Sequence, residues 1–142
     1  MKISLKRKSG AQYYACNEAG EEIAIGGPPD VGDSEEGPRP MQLVLMGLAG
    51  CSAVDVQLIL QRGRHQLDSL EIHIDSERAS TTPAVFEKIH LSFRAGGDFS
   101  LKKLERAVKL SMEKYCSVAR MLESTAVITH SCELVNTEEG EG

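Results

Sequence analysis

Tryptophan is absent from this chain, and three Tyr with three Phe bring the aromatic share to only 4%. A platform for stacking nucleic-acid bases is therefore not expected. Cations are scarce as well: 16 Lys and Arg stand against 21 Asp and Glu, a net charge of −5. Without a concentrated basic face the chain cannot neutralise a run of phosphates, which argues against nucleic acid as a partner. Neither GxGxxG nor GxxxxGK[ST] occurs, so no nucleotide cofactor is expected. GxSxG is missing too, and no acyl-transfer triad is visible. The four cysteines, Cys16, Cys51, Cys116 and Cys132, include no CxxC pair and are too few for a disulfide scaffold. The first ten residues are basic and polar with no apolar run, so no secretory leader is expected. Free thiols in a reducing, cytoplasmic setting follow as the expectation.

At 142 residues, with 41% hydrophobic and 26% charged residues, the chain has the size and balance of one soluble domain, residues 1–142. Period-two alternation predicts strands around Ile3–Leu5, Tyr13–Asn17 and Glu22–Ile25. Four glycines, three prolines and four acidic residues then crowd Gly26–Arg39, which reads as a long flexible polar loop. Two longer alternating runs, Leu70–Asp75 and Lys88–Arg94, read as an antiparallel pair. A helix is expected from Asp98 or Ser100 with an apolar stripe of Leu101, Leu104, Val108 and Met112. Cys116-Ser117 opens a short helix, Val127–Val135 is a last strand, and residues 136–142 form an acidic tail expected to fray. Strands and helices are grouped rather than alternating, so the class is α+β.

One run stands apart. From Met41 to Leu60 the chain is apolar over a length that could cross a membrane. Gln42, Asp55 and Gln57 interrupt it, and a carboxylate at a bilayer centre is costly. It reads instead as a helix beginning at Pro40, buried in protein, and Arg62-Gly63-Arg64 ends it. Six strands and two small helices cover only part of such a helix, so homodimerisation is expected.

Few residues offer chemistry. His130 and Cys132 share a face of the last strand, but two ligands fall short of a zinc site, so no metal is expected. His73 and His90 fall on the wet faces of their strands. Cys51 lies mid-helix, one turn before Asp55 on the same face. Cys116 lies at the edge of a short helix, where free N–H groups favour a thiolate.

The stretch Met41–Val56, MQLVLMGLAGCSAVDV, taken with Glu113–Val118, EKYCSV, resembles the OsmC/Ohr family and within it the YhfA-like branch. Pro83–Phe86, Leu104–Ser111 and Ala126–Thr129 extend the resemblance over essentially the whole chain. It implies an OsmC-like fold: a long buried central helix wrapped by antiparallel sheets, in an intertwined homodimer. It also implies a thiol-dependent peroxidase for organic hydroperoxides. By position, Cys51 would be the peroxidatic thiolate and Cys116 the resolving thiol, with an external dithiol, possibly a dihydrolipoyl group, as reductant. The alternative is a dimer of this fold that binds or senses small hydrophobic or electrophilic compounds.

The resemblance further implies an activating Arg held by a Glu at the start of the central helix. Here the corresponding position, ten before Cys51, is Met41, and residues 26–37 contain no Arg. Arg39 is the nearest candidate cation. Twelve helical residues span about 18 Å, so Arg39 would act through a folded-back loop or across the dimer.

Overall fold

The computed structural model describes residues 1–135, and the acidic tail expected at 136–142 lies outside the described residues. The described chain divides into two compact units, Met1–Met46 and Gly47 onward.

The first unit is a three-stranded antiparallel sheet, β1 (Ile3–Ser9), β2 (Gln12–Asn17) and β3 (Glu22–Gly26), in that order. The polar run after β3 carries no regular structure, as its composition predicts, yet it is tied to the sheet. Gln12, 3% exposed, accepts the Glu35 and Glu36 N–H groups on its carboxamide oxygen and donates to the Glu36 carbonyl. The Ala11 N–H reaches the Asp33 carbonyl at 2.8 Å and the Gly26 N–H reaches that of Pro38 at 3.0 Å. A buried carboxamide must place its donors and acceptor somewhere, and here the loop backbone supplies the partners. Gly37 has a φ of 94°, and a Cβ there would run into the Ala24 carbonyl, so the loop passes close against β3 only as glycine.

Helix α1 (Pro40–Arg62) runs unbroken for 23 residues. Pro40 occupies its first position, where a missing N–H costs nothing, and the Gln42 side chain accepts the Arg39 N–H at 2.9 Å. Within the single chain the helix is covered only in part, as six strands and two small helices allow. Leu48, Ser52, Val56 and Leu60, spaced four apart, are its buried residues. On the opposite side Met46, Val54 and Leu58 are 54%, 65% and 40% exposed, with Gly50 between them. One chain of this size covers one stripe of the helix, not its circumference.

In the second unit β4 (Leu67–Arg78) and β5 (Phe86–Gly97) pair antiparallel, as their alternation predicts. β5 is the middle strand: Ile89, Leu91, Phe93 and Ala95 are at most 1% exposed. The third strand, β6 (Val127–Leu134), joins β5 in parallel. The expected antiparallel wrapping thus holds for the first sheet and for β4–β5 but not for β6. The reason is the connection: a parallel neighbour needs a crossover of a dozen or more residues, and helices fill that stretch here. They are α2 (Leu101–Leu110), a one-turn π-helix at Ser111–Tyr115, and α3 (Ser117–Leu122). Ser100 caps α2 by accepting the Lys103 N–H, and Leu104, Ala107 and Val108 form its fully buried stripe.

Candidate active site

Two helices build the site. Cys51 and Asp55 are one turn apart on α1 and so project from the same face. Cys116 arrives from the other side through the π-turn, where its N–H bonds the Ser111 carbonyl, five residues back, at 2.7 Å. A π-turn inserts one residue into helical spacing and often marks a functional position. Here it lets two residues five apart, Ser111 and Cys116, both face α1. Cys116 is 2% exposed and Ser111 is fully buried, whereas Cys51 and Asp55 are half-buried. The thiol sulfurs of Cys51 and Cys116 and a carboxylate oxygen of Asp55 all lie within 4.8 Å of one another. Ser111 Oγ donates to Asp55 Oδ2 at 3.1 Å.

Charge at this point is one-sided. Burial pushes the Cys116 thiol up from 9.0 to about 11. The Ala119 N–H, 3.5 Å from Cys116 Sγ, works against that shift. A hydrogen-bonding interaction with Cys51, and then the charges of Cys51 and Asp55, reinforce it. The expectation that a helix edge would favour the Cys116 thiolate is therefore overturned. The N–H group is present, but burial outweighs one neutral donor. Cys116 stays a thiol at neutral pH, and no salt bridge reaches Asp55 among the described residues.

Asp55 also lines a cleft of about 430 Å³ between the second half of α1, α2 and the π-turn. Leu58, Ile59, Leu110 and Tyr115 make its apolar walls, and Arg62 and Arg106 line it as well. Arg62 reads in the sequence as a helix-ending cation and Arg106 lies outside the apolar stripe of its helix; only the fold brings them to one cleft. Ser111 was equally invisible, because nothing in a helical stripe marks the start of a π-turn. Arg39 stands one residue before α1, in the first unit. His130 and Cys132 join no cluster of three possible ligands among the described residues. His73 is exposed beside Glu71, as expected. His90 is not simply solvated: its ring nitrogens lie 2.6 Å from Thr129 Oγ1 and 3.2 Å from Ser131 Oγ, across the β5–β6 pairing.

Comparison with known proteins bears on the family and the fold. Residues 32–131 match the model of a family described as OsmC-like protein. Protein YhfA of Escherichia coli K12 is 40% identical over 136 residues, 95% of this chain and 98% of its own. A crystal structure from Aquifex aeolicus VF5 is 32% identical, covers 95% of this chain and 97% of that one, and superposes with a TM-score of 0.79. The organic hydroperoxide resistance protein OhrB of Bacillus subtilis shares the fold at 14% identity, with a TM-score of 0.63 over 94% of this chain and 98% of its own. On the family model and the identity to YhfA, the α+β chain belongs to the OsmC-like family, some of whose members are named organic hydroperoxide resistance proteins.

Proposed function

We propose that the chain is a thiol-dependent peroxidase that reduces organic hydroperoxides with Cys51 and Cys116. The observation that carries this reading is the convergence of the two thiols, 65 residues apart in sequence, within 4.8 Å. A pair so placed can exchange oxidation states without rearranging the fold. Cys51, the more accessible of the two, attacks the distal peroxide oxygen as a thiolate. The O–O bond breaks, the alkoxide takes up a proton and leaves as an alcohol, and Cys51 becomes a sulfenic acid. The Cys116 thiol then attacks the sulfenic sulfur: the S–OH bond breaks, a disulfide forms, and the hydroxide leaves as water with the thiol proton. A dithiol of the dihydrolipoyl kind returns both residues to thiols by exchange.

The apolar cleft beside Asp55 suits an alkyl or aryl hydroperoxide better than hydrogen peroxide. Thiolate formation at neutral pH calls for a neighbouring cation. Arg106, which comes from α2 and lines the cleft with Asp55, is favoured in this role over Arg39 and Arg62, which stand twelve residues before and eleven residues after Cys51 along the chain of α1. The exposed apolar stripe Met46, Val54 and Leu58 supports a homodimer formed through α1.

Treatment of the reduced chain with one equivalent of cumene hydroperoxide, followed by peptide mass spectrometry, tests the reading. A Cys51–Cys116 disulfide is expected, absent in Cys51→Ser. If both thiols remain reduced, a dimer that binds small hydrophobic or electrophilic compounds replaces it, as Met41 at the family's Glu position already suggests.

A further inference from the structure

The peroxidase reading leaves Asp55 without a task. Its charge adds to the upward push that burial gives the Cys116 thiol and so works against thiolate chemistry there. Yet the fold holds it there: Ser111, itself fully buried, donates to Oδ2 at 3.1 Å and fixes the carboxylate's orientation. Two thiols and a carboxylate facing one point, with no salt bridge to the carboxylate, form the one cluster of three or more possible metal ligands among the described residues.

We propose that the reduced chain binds one divalent cation of the zinc type through Cys51 Sγ, Cys116 Sγ and an Asp55 carboxylate oxygen. In a tetrahedral site with metal–sulfur bonds of about 2.3 Å and metal–oxygen bonds of about 2.1 Å, ligand atoms sit roughly 3.5–3.8 Å apart. The observed limit of 4.8 Å is about one ångström wider, a contraction that small side-chain rotations supply. Thiolates select borderline-soft cations over magnesium or calcium, which prefer all-oxygen shells. Ser111 binds one carboxylate oxygen and leaves the other to ligate, the arrangement by which outer hydrogen bonds orient a metal-binding side chain.

The fourth position is open. Asp55 lines the 430 Å³ cleft, so an exogenous water, thiol or oxygen ligand can complete the shell from there. Binding balances as one divalent cation in and two thiol protons out, with net charge −1 left on the three ligands and metal together. Sequence spacing hides this site: positions 51, 55 and 116 match no ligand motif and meet only through the π-turn. The inference uses the thiols of the proposed peroxidase but does not rest on that activity. Disulfide formation removes two of the three ligands, so the oxidised chain releases the cation.

The test is an anaerobic cobalt(II) titration of the full chain, chelator-stripped and reduced with a phosphine, with Cys16→Ser and Cys132→Ser to silence the other thiols. One saturable equivalent with thiolate-to-cobalt charge-transfer absorption is expected, displaced by zinc. Charge-transfer intensity should fall in Cys51→Ser and in Cys116→Ser, and Ser111→Ala should weaken affinity about ten- to a hundredfold. No such band, or an undiminished band in both cysteine variants, overturns the proposal. Should those variants not fold, zinc protection of the native chain decides: Cys51 and Cys116 shielded from maleimide supports the site, and equal labelling with and without zinc overturns it. Disulfide formation by hydroperoxide in the metal-free chain is scored separately, so either reading can fail alone.

Discussion

Ser111 and Asp55, 56 residues apart in sequence, are joined by a hydroxyl-to-carboxylate hydrogen bond of 3.1 Å that ties the π-turn to α1. The hydroxyl is fully buried, so it has no water to turn to if the carboxylate is lost. A hydrogen bond to a charged acceptor contributes about 1.5–3 kcal/mol net, and the half-buried carboxylate places this one toward the lower end. Ser111→Ala and Asp55→Ala in chelator-stripped protein should each lower unfolding stability by about 1–2 kcal/mol. The double variant should lose less than the sum, because the two share one interaction. Urea denaturation of the four proteins gives the coupling energy. Strictly additive losses would mean that the bond contributes nothing in solution.

The two cysteines should also part company chemically. Cys116→Ser leaves Cys51 without a resolving thiol, so hydroperoxide treatment should trap a Cys51 sulfenic acid that dimedone labels. The native chain should show a disulfide and little dimedone adduct. Cys51→Ser should show neither product, because Cys116 is buried and remains protonated at neutral pH. Dimedone on Cys116 in the Cys51→Ser chain would reverse the assignment of roles.

How far the residues alone lead can be judged element by element. The alternation of Ile89, Leu91 and Phe93 is that of a strand with one wet face, and these are the buried residues of the central strand. Leu104 and Val108 mark the buried face of α2 in the same way, since local periodicity and burial report the same face. What periodicity cannot carry is long-range pairing. The parallel partnership of β6 with β5 depends on a crossover whose direction no local pattern encodes. Cys51 and Cys116 were legible through their surroundings in the chain, but Ser111, Arg62 and Arg106 were not. Each looks like an ordinary helical residue until α1, α2 and the π-turn are brought together. The loop after β3 reads as mobile from composition, and Gln12, the buried side chain that helps tie it down, lies fourteen positions before that loop begins.

Along α1 the exposed stripe Met46, Val54 and Leu58 predicts self-association. Gly50 sits between the first two and lets a second helix approach closely. Placing a charge at Val54, 65% exposed in the single chain, should be harmless in a monomer and severe in a dimer. An unpaired buried charge costs about 3–5 kcal/mol, so Val54→Glu should weaken the dimer about a hundredfold or more. Light scattering across a concentration series should find the native chain dimeric and Val54→Glu monomeric with an unchanged circular dichroism spectrum. A native monomer at all concentrations would remove the dimer from the reading.

Cys132 offers a pH dependence outside the site. Burial, and secondarily the charge of Glu105, push its thiol up from 9.0 to about 11. The folded chain therefore holds a proton that the unfolded chain releases near its ordinary value. For a group raised in this direction, the stabilisation is fully present below about pH 9 and is lost as pH climbs toward about 11. Stability should thus decline across that window, and Cys132→Ala should flatten part of the decline, leaving the share due to Cys116. Alkylation of Cys132 by iodoacetamide should rise with a midpoint near 11 in the folded chain and near the ordinary cysteine value in urea. Glu105→Gln should move the folded midpoint downward, because it removes the charge that disfavours the thiolate. A midpoint unmoved by unfolding would show that burial does not govern this thiol.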